Sequence, residues 1–255
     1  MDIFSSVVLG IVQGITEWLP ISSSGHLAIF EKLFSIRPDA FFNIMLHFAT
    51  LLVVFFVFRK EIYGIAKAVV KLDFKGENGK MFLFLIVGSI PIAIAGFLFE
   101  EIIYSLFSNI ILVGFALIFT GTIIYLSKFS VKKLGLDSKR SFAVGLFQAL
   151  ALIPGVSRSG STVSSALLMG IEREKAVVFS MLLSIPAILG ATMFLMTKNT
   201  IAIIQPELIA GMIVSLVVGY FSLKFLIKTI LDKKFYLFSV YCWIVGLIVI
   251  LISFV

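Results

Sequence analysis

The sequence predicts an all-α polytopic membrane protein, an inverted repeat of six transmembrane helices and two re-entrant helical hairpins entering from opposite faces. Three observations predict it. Of 255 residues, 60% are hydrophobic and 14% charged, where soluble domains hold about 45–50% apolar and about 25% charged residues. Six stretches approach the roughly 20 apolar residues that a crossing needs. A polar motif rich in Gly and Ser is written twice at a constant offset of 135, which aligns Gly10 with Gly145, Gln13 with Gln148, Ser22 with Ser157, Ser24 with Ser159 and Gly25 with Gly160.

The chain opens with an apolar run over 3–18, a Pro/Ser break, and a second run over 21–35. Neither run spans a bilayer, so the pair reads as a re-entrant hairpin. Spans follow at 41–58, 81–99 and 108–127, completing a first half over 1–127. A basic loop, 128–140, joins it to a second half over 141–255 within one membrane domain. That half repeats the order: a broken pair at 141–153 and 158–171, then spans at 176–196, 208–227 and 236–255.

Loop charge orients the spans. Segment 59–80 holds Arg59, Lys60, Lys67, Lys71, Lys75 and Lys80, and segment 128–140 holds Lys128, Lys132, Lys133, Lys139 and Arg140. Segments 100–107 and 197–207 are nearly free of bases. Basic loops stay cytoplasmic, which puts both termini outside and makes the two hairpins enter from opposite sides. An odd number of crossings per half is what an inverted repeat requires. The net charge of +7 is this loop bias and no nucleic-acid signature. Cys242 stands alone, so no intrachain disulfide forms. The start, Met1-Asp2-Ile3, lacks a basic region and a cleavage site, so no cleaved signal peptide is expected. Gly88, Gly96, Gly211 and Gly219 read as close helix-packing positions, and Pro91 and Pro186 as kinks.

The two breaks carry the chemistry. Irregular backbone at membrane depth is tolerated where it lines a wet cavity. Two Ser/Gly-rich tips, each opening a half-helix, aim backbone N–H groups into such a cavity. Arg158 adds a planar fork that suits phosphate oxygens. Glu17 and His26 make the first tip the reactive or metal-holding side. Together they describe a phosphate site at the membrane. Blander readings stand beside this one. Arg158 as a clamp on carbonyls, Glu17 as its ion-pair partner and His26 as a helix cap are each structural. Ser22, Ser23, Ser24, Ser157, Ser159 and Ser161 suit turns and N-caps, as does Thr162. Gln13 and Gln148 pair across the pseudo-two-fold, and His47 on its apolar span reads as a core histidine.

The stretch from Gly14 through Thr16, Glu17, Trp18, Pro20, Ser22, Ser23, Ser24 and Gly25 to His26 resembles one signature of the undecaprenyl-diphosphate phosphatases, the integral-membrane bacitracin-resistance proteins. The stretch Pro154, Gly155, Ser157, Arg158, Ser159, Gly160, Ser161, Thr162 resembles the other. The resemblance covers essentially the whole chain. It implies hydrolysis of the terminal phosphate of undecaprenyl diphosphate, which regenerates the lipid carrier of cell-wall synthesis in the bacterial cytoplasmic membrane. It maps the catalytic glutamate onto Glu17, the histidine onto His26, the candidate nucleophile onto Ser23 and the phosphate-binding arginine onto Arg158. Ser157 and Thr162 match further phosphate-contacting positions of the family, and the Ser/Gly tips add Ser22, Ser24, Ser159 and Gly160 as expected phosphate contacts. A divalent cation, Mg²⁺ or Ca²⁺, is expected on Glu17 with Gln13, where many members carry a second glutamate. The implied partners are the polyprenyl diphosphate and the bilayer, with a homodimer left open and no nucleic acid. The rival class is a transporter or flippase of a polyprenyl phosphate lipid, because inverted repeats with broken helices also build transporters.

Overall fold

The computed structural model describes residues 2–34, 36, 38–106, 109–130, 134–198 and 205–254. It is all-α, with no strand among the described residues beyond one isolated bridge between Leu134 and Ile171. Among the described residues twelve α-helices follow in order: α1 Ile3–Trp18, α2 Ser23–Leu33, α3 Ala40–Val57, α4 Arg59–Val70, α5 Glu77–Leu98, α6 Glu100–Leu106, α7 Ile110–Leu126, α8 Ser138–Leu150, α9 Arg158–Leu168, α10 Arg173–Lys198, α11 Pro206–Leu231 and α12 Leu237–Ile252.

Short polar side chains start these helices. Asp2, Asp39, Asn109 and Asp137 each accept from a backbone N–H of the first turn, as N-caps do. The two motif breaks use serine in the same way. Ser22 Oγ accepts from Gly25 N at 3.2 Å to open α2, and Ser157 Oγ accepts from Gly160 N at 3.1 Å to open α9.

Among the described residues, five helices are long and apolar enough to cross a membrane: Ala40–Val57, Glu77–Leu98, Ile110–Phe129, Arg173–Phe194 and Pro206–Leu231. The sixth expected span, 236–255, is the apolar but shorter α12, Leu237–Ile252. Large apolar side chains such as Phe97, Phe115, Phe221 and Ile252 stand exposed along these helices. So wide an apolar surface is what a bilayer covers. The chain is a multi-pass membrane protein.

Two of the expected loops are helical. The basic segment 59–80 begins as α4, whose Ile62, Ile65 and Val69 lie on one face. The acidic segment 100–107 is largely α6. Lys132 and Lys133 of the linking loop lie outside the described residues, as do 199–204 of segment 197–207.

Glycines set the closest helix contacts. A Cβ on Gly10 of α1 would lie 2.6 Å from the carbonyl oxygen of Gly211 of α11. One on Gly145 of α8 would lie 2.2 Å from that of Gly88 of α5. Between α7 and α12, Gly114 and Gly246 approach each other the same way, at 2.9 and 2.7 Å. Gly88 and Gly211 are thus packing positions, as expected. Gly219 also packs closely, since a Cβ on Gly14 of α1 would lie 3.0 Å from its backbone N, whereas Gly96 faces open space and packs on nothing.

One apolar core runs through the middle of the molecule. Trp18, Val163, Phe179, Leu183, Leu223 and Phe235 are among its buried members, so both broken pairs are packed into it with α10 and α11.

Candidate active site

The two breaks meet. α1 ends at Trp18, and a short turn through Pro20 leads to Ser22, which sits at a φ of 71° before α2 begins. α8 ends at Leu150, and its turn passes Gly155 at a φ of 95° before Ser157 caps α9. A Cβ at Gly155 would also lie 2.5 Å from the Val113 carbonyl oxygen, so glycine is required there twice over. Thr120 of α7 pins this second turn: its Oγ1 donates to Gly155 O at 3.2 Å and accepts from Ser157 N at 3.1 Å.

Glu17, on the last turn of α1, is buried. Its Oε1 accepts from Nη2 of Arg158, the first residue of α9, in an ion pair that bridges the two breaks. Its Oε2 accepts from Ser23 Oγ at 2.7 Å and from Gln13 Nε2 at 3.0 Å, and lies 2.9 Å from His47 Nδ1. His47 Nδ1 is also 2.9 Å from Gln13 Nε2. Gln13 and Glu17 reach one point because four residues along a helix return a side chain to the same face. The Arg158 guanidinium stands 5.3 Å from the Trp18 ring, a cation–π distance.

A cavity of about 260 Å³ opens on this cluster. Its polar lining is Glu17, Ser23, Ser24, His47, Gln148, Ser157 and Arg158, against apolar walls from α3, α5, α6 and α10. Two of these groups are incompletely used by the protein. Arg158 Nη1 and both amide atoms of Gln148 are buried and have no protein hydrogen-bond partner.

Other expected site residues fall outside the lining. His26 Nδ1 is 2.9 Å from Ser22 O and its Nε2 is 2.7 Å from Tyr241 Oη, with the two rings stacked at 5.7 Å. Both ring nitrogens are thus engaged away from Ser23. Ser22 Oγ is occupied as the cap of α2, Gly160 N is spent on Ser157 Oγ, and Ser159 Oγ donates weakly to Leu19 O at 3.4 Å. Thr162 is fully buried, bonded to Arg158 O at 2.8 Å and to Ser180 Oγ at 2.5 Å. Ser24 and Ser157 are the serines that join Ser23 at the cavity.

Three residues given structural readings from sequence lie at the candidate site. His47 is no core histidine, since it lines the cavity and touches Glu17. The signal was present, because an ionisable group within an apolar span is a functional candidate by default. Gln13 and Gln148 do not pair across the molecule. Gln13 serves Glu17, and Gln148 faces the cavity.

The family model described as Bacitracin resistance protein BacA matches residues 6–248. The chain belongs to this family. Among BacA relatives, a protein of Methanococcus vannielii named undecaprenyl-diphosphatase is 42% identical over 249 residues, covering 96% of this chain and 98% of its own length. Proteins of the same name from Alkaliphilus metalliredigens and Korarchaeum cryptofilum are 40% and 37% identical, covering 99% and 97% of this chain and 99% and 98% of their own lengths.

Proposed function

We propose that this BacA protein hydrolyses the terminal phosphate of a polyprenyl diphosphate, giving the lipid monophosphate and inorganic phosphate. The observation that carries the reading is the meeting of Ser23, Glu17 and Arg158 at one cavity within a membrane protein. The name shared by the relatives supplies undecaprenyl diphosphate as the substrate, and with it carrier recycling for the cell wall and resistance to bacitracin.

In the proposed mechanism Arg158 holds the terminal phosphate through its free edge while the other edge stays on Glu17. It opposes the charge that develops on the phosphoryl oxygens. Ser23 Oγ attacks phosphorus, and its proton passes to Glu17 Oε2, the atom it already contacts. The bond to the bridging oxygen breaks, and the lipid monophosphate leaves with the proton that Glu17 received. Water then gives a proton to Glu17 as it attacks the phosphoserine, and Glu17 returns it to Ser23 Oγ as the bond to phosphorus breaks and phosphate is released. Glu17, not His26, is the base in this scheme, because the carboxylate is the group in contact with Ser23. His47 holds the shared oxygen of Glu17. Its Nδ1 faces both an obligate donor, the Gln13 amide N–H, and an obligate acceptor, the carboxylate. A proton on Nδ1 serves Glu17, and its absence serves Gln13.

The protein itself offers a resident Mg²⁺ or Ca²⁺ few ligands, Glu17 and the unpartnered Oε1 of Gln13. Protein N–H and O–H donors already sit on both Glu17 oxygens, and no three of His, Cys, Asp and Glu converge among the described residues. A hard cation needs oxygen ligands, and here these would come from the substrate itself. Gln13→Glu tests this: it should create a second carboxylate beside Glu17 and a Ca²⁺- or Mg²⁺-dependent rise in melting temperature that the wild type lacks.

We further propose that the two motif pairs are re-entrant hairpins of an inverted repeat. The reciprocal glycine contacts of Gly10 with Gly211 and of Gly145 with Gly88 support this reading. In a Cys242→Ser background, single cysteines replacing Lys71 or Lys75 should resist an impermeant thiol reagent applied to intact cells. One replacing Glu101 should label.

Hydrolysis itself is tested with purified protein in detergent. Micelles have no second compartment, so phosphate release there separates a phosphatase from a flippase. No release from pure, folded protein overturns the reading.

A further inference from the structure

Gln148 is fully buried on the last turns of α8, lines the cavity, and leaves both its amide nitrogen and its amide oxygen without a protein partner. Buried amides are almost always hydrogen-bonded, and each exception calls for an explanation. Its counterpart at the offset of 135, Gln13, is satisfied in part by Glu17 and His47. The second copy has Leu152 where the first has Glu17, so no carboxylate is placed to engage Gln148. Nearby on the same lining, Arg158 Nη1 is also unpartnered. Two buried groups with unused donors thus face one cavity.

From this we propose that Gln148 is a substrate-binding residue, forming with the free edge of Arg158 a subsite for the phosphate oxygens of the diphosphate. The assignment rests on the hydrolase reading above. Nε2 donates to a phosphate oxygen, and Oε1 accepts from an O–H, that of a protonated phosphate or of a bound water. A neutral amide suits this place better than a second cation. Arg158 already supplies positive charge, and a lysine or arginine here would compete with it for Glu17. The pairing gives the cavity one charged and one neutral donor, so the departing phosphate is held without being trapped.

The subsite separates from a structural role by the sign of a stability change. Truncating a hydrogen-bonded buried group destabilises, whereas replacing an unsatisfied one by an apolar group of similar shape is neutral or stabilising. Gln148→Leu should therefore leave the melting temperature of the ligand-free protein unchanged or raised. It should also weaken apparent substrate affinity by about 10–100-fold, the range for one hydrogen bond to a charged group. Gln148→Glu should be worse than leucine, because a carboxylate repels phosphate. A binding readout independent of turnover uses inorganic pyrophosphate as the probe. It should raise the melting temperature of the wild type and do so far less in Gln148→Leu. Equal pyrophosphate stabilisation of both proteins overturns the subsite even if the wild type is an active phosphatase. A lowered ligand-free melting temperature with normal kinetics would make Gln148 structural. Pyrophosphate discrimination with no phosphate release from the wild type would keep the subsite and sink the hydrolase reading instead.

Discussion

The two breaks are built alike and used differently. In each, a serine caps the following half-helix and its hydroxyl lies 3.3 Å from that of the serine two residues on, Ser22 with Ser24 and Ser157 with Ser159. At the offset of 135 the serine caps match, but the turns bend at different residues, with positive φ at Ser22 in one and at Gly155 in the other, and the chemistry differs too. Ser23 corresponds to Arg158, Glu17 to Leu152 and His26 to Ser161. The first break gathers donors onto its carboxylate: Gln13, Ser23 and His47 of α3 all converge on one Glu17 oxygen. The second leaves capacity open in Gln148 and Arg158. One capping device thus serves a reactive half and a receiving half, and Arg158 joins them through Glu17.

The largest effect should come from cutting that join. Arg158→Ala removes the guanidinium from both halves and should lower turnover by about 10²–10³-fold, the scale for loss of one preorganised donor to transition-state charge. Phosphate release by the purified variant measures it. Arg158→Lys should recover little, since a point charge cannot hold Glu17 with one edge and a phosphate with the other. Near-normal turnover in Arg158→Ala would reduce the arginine to a clamp and leave the second break without a chemical role.

Ser23→Ala tests which half carries the nucleophile. It keeps the helix start, because Ser22 is the cap, and removes the hydroxyl that touches Glu17. Rapid-quench kinetics should show a stoichiometric acid-stable phosphoenzyme in the wild type and none in the variant. If turnover falls only slightly, Glu17 is activating water directly.

His47 should matter less and in a particular way. His47→Ala should cost about 10-fold or more in turnover, toward the low end for groups that assist proton transfer, and should change the pH profile. His47→Gln should recover part of the rate, since an amide N–H can still donate to Glu17 Oε2. Full activity in His47→Ala would return the residue to the packing role assigned by hydropathy.

Hydropathy and the repeated motif made the fold class, both broken pairs and five long spans legible, because apolar length and Pro/Gly/Ser breaks are local properties. The ends of the last span and the helices at 59–70 and 100–106 were not, since amphipathic and short helices lack that signal. Within the site, Glu17, Ser23 and Arg158 were legible as polar residues with no bland place in lipid. The partners were not. Whether His26 or His47 meets the carboxylate depends on how α3 and α12 pack against the breaks, which motif spacing does not encode. For the same reason Thr162, inside the motif, proved to be tied to Ser180 of α10.

The smallest effect concerns His26, and it sharpens the contrast most. Its ring joins the first break to α12 through Tyr241, by a 2.7 Å contact at Nε2 and a stack at 5.7 Å. Such a tie positions α2, and with it Ser23 three residues earlier. Tyr241→Phe keeps the stack and loses the hydroxyl, so turnover should fall by no more than a few-fold. His26→Ala loses both contacts and should fall further. The double variant should then cost less than the sum of the two, as expected of residues in direct contact. A double-mutant cycle on turnover, with melting temperatures alongside, reads this coupling. If instead His26→Ala alone costs the full 10²–10⁴-fold of a general acid–base group while Tyr241→Phe is silent and additive, the imidazole must leave Tyr241 and enter the cavity during the reaction. The proton of the departing lipid phosphate would then come from His26, and the first break would carry two proton-transfer groups rather than one.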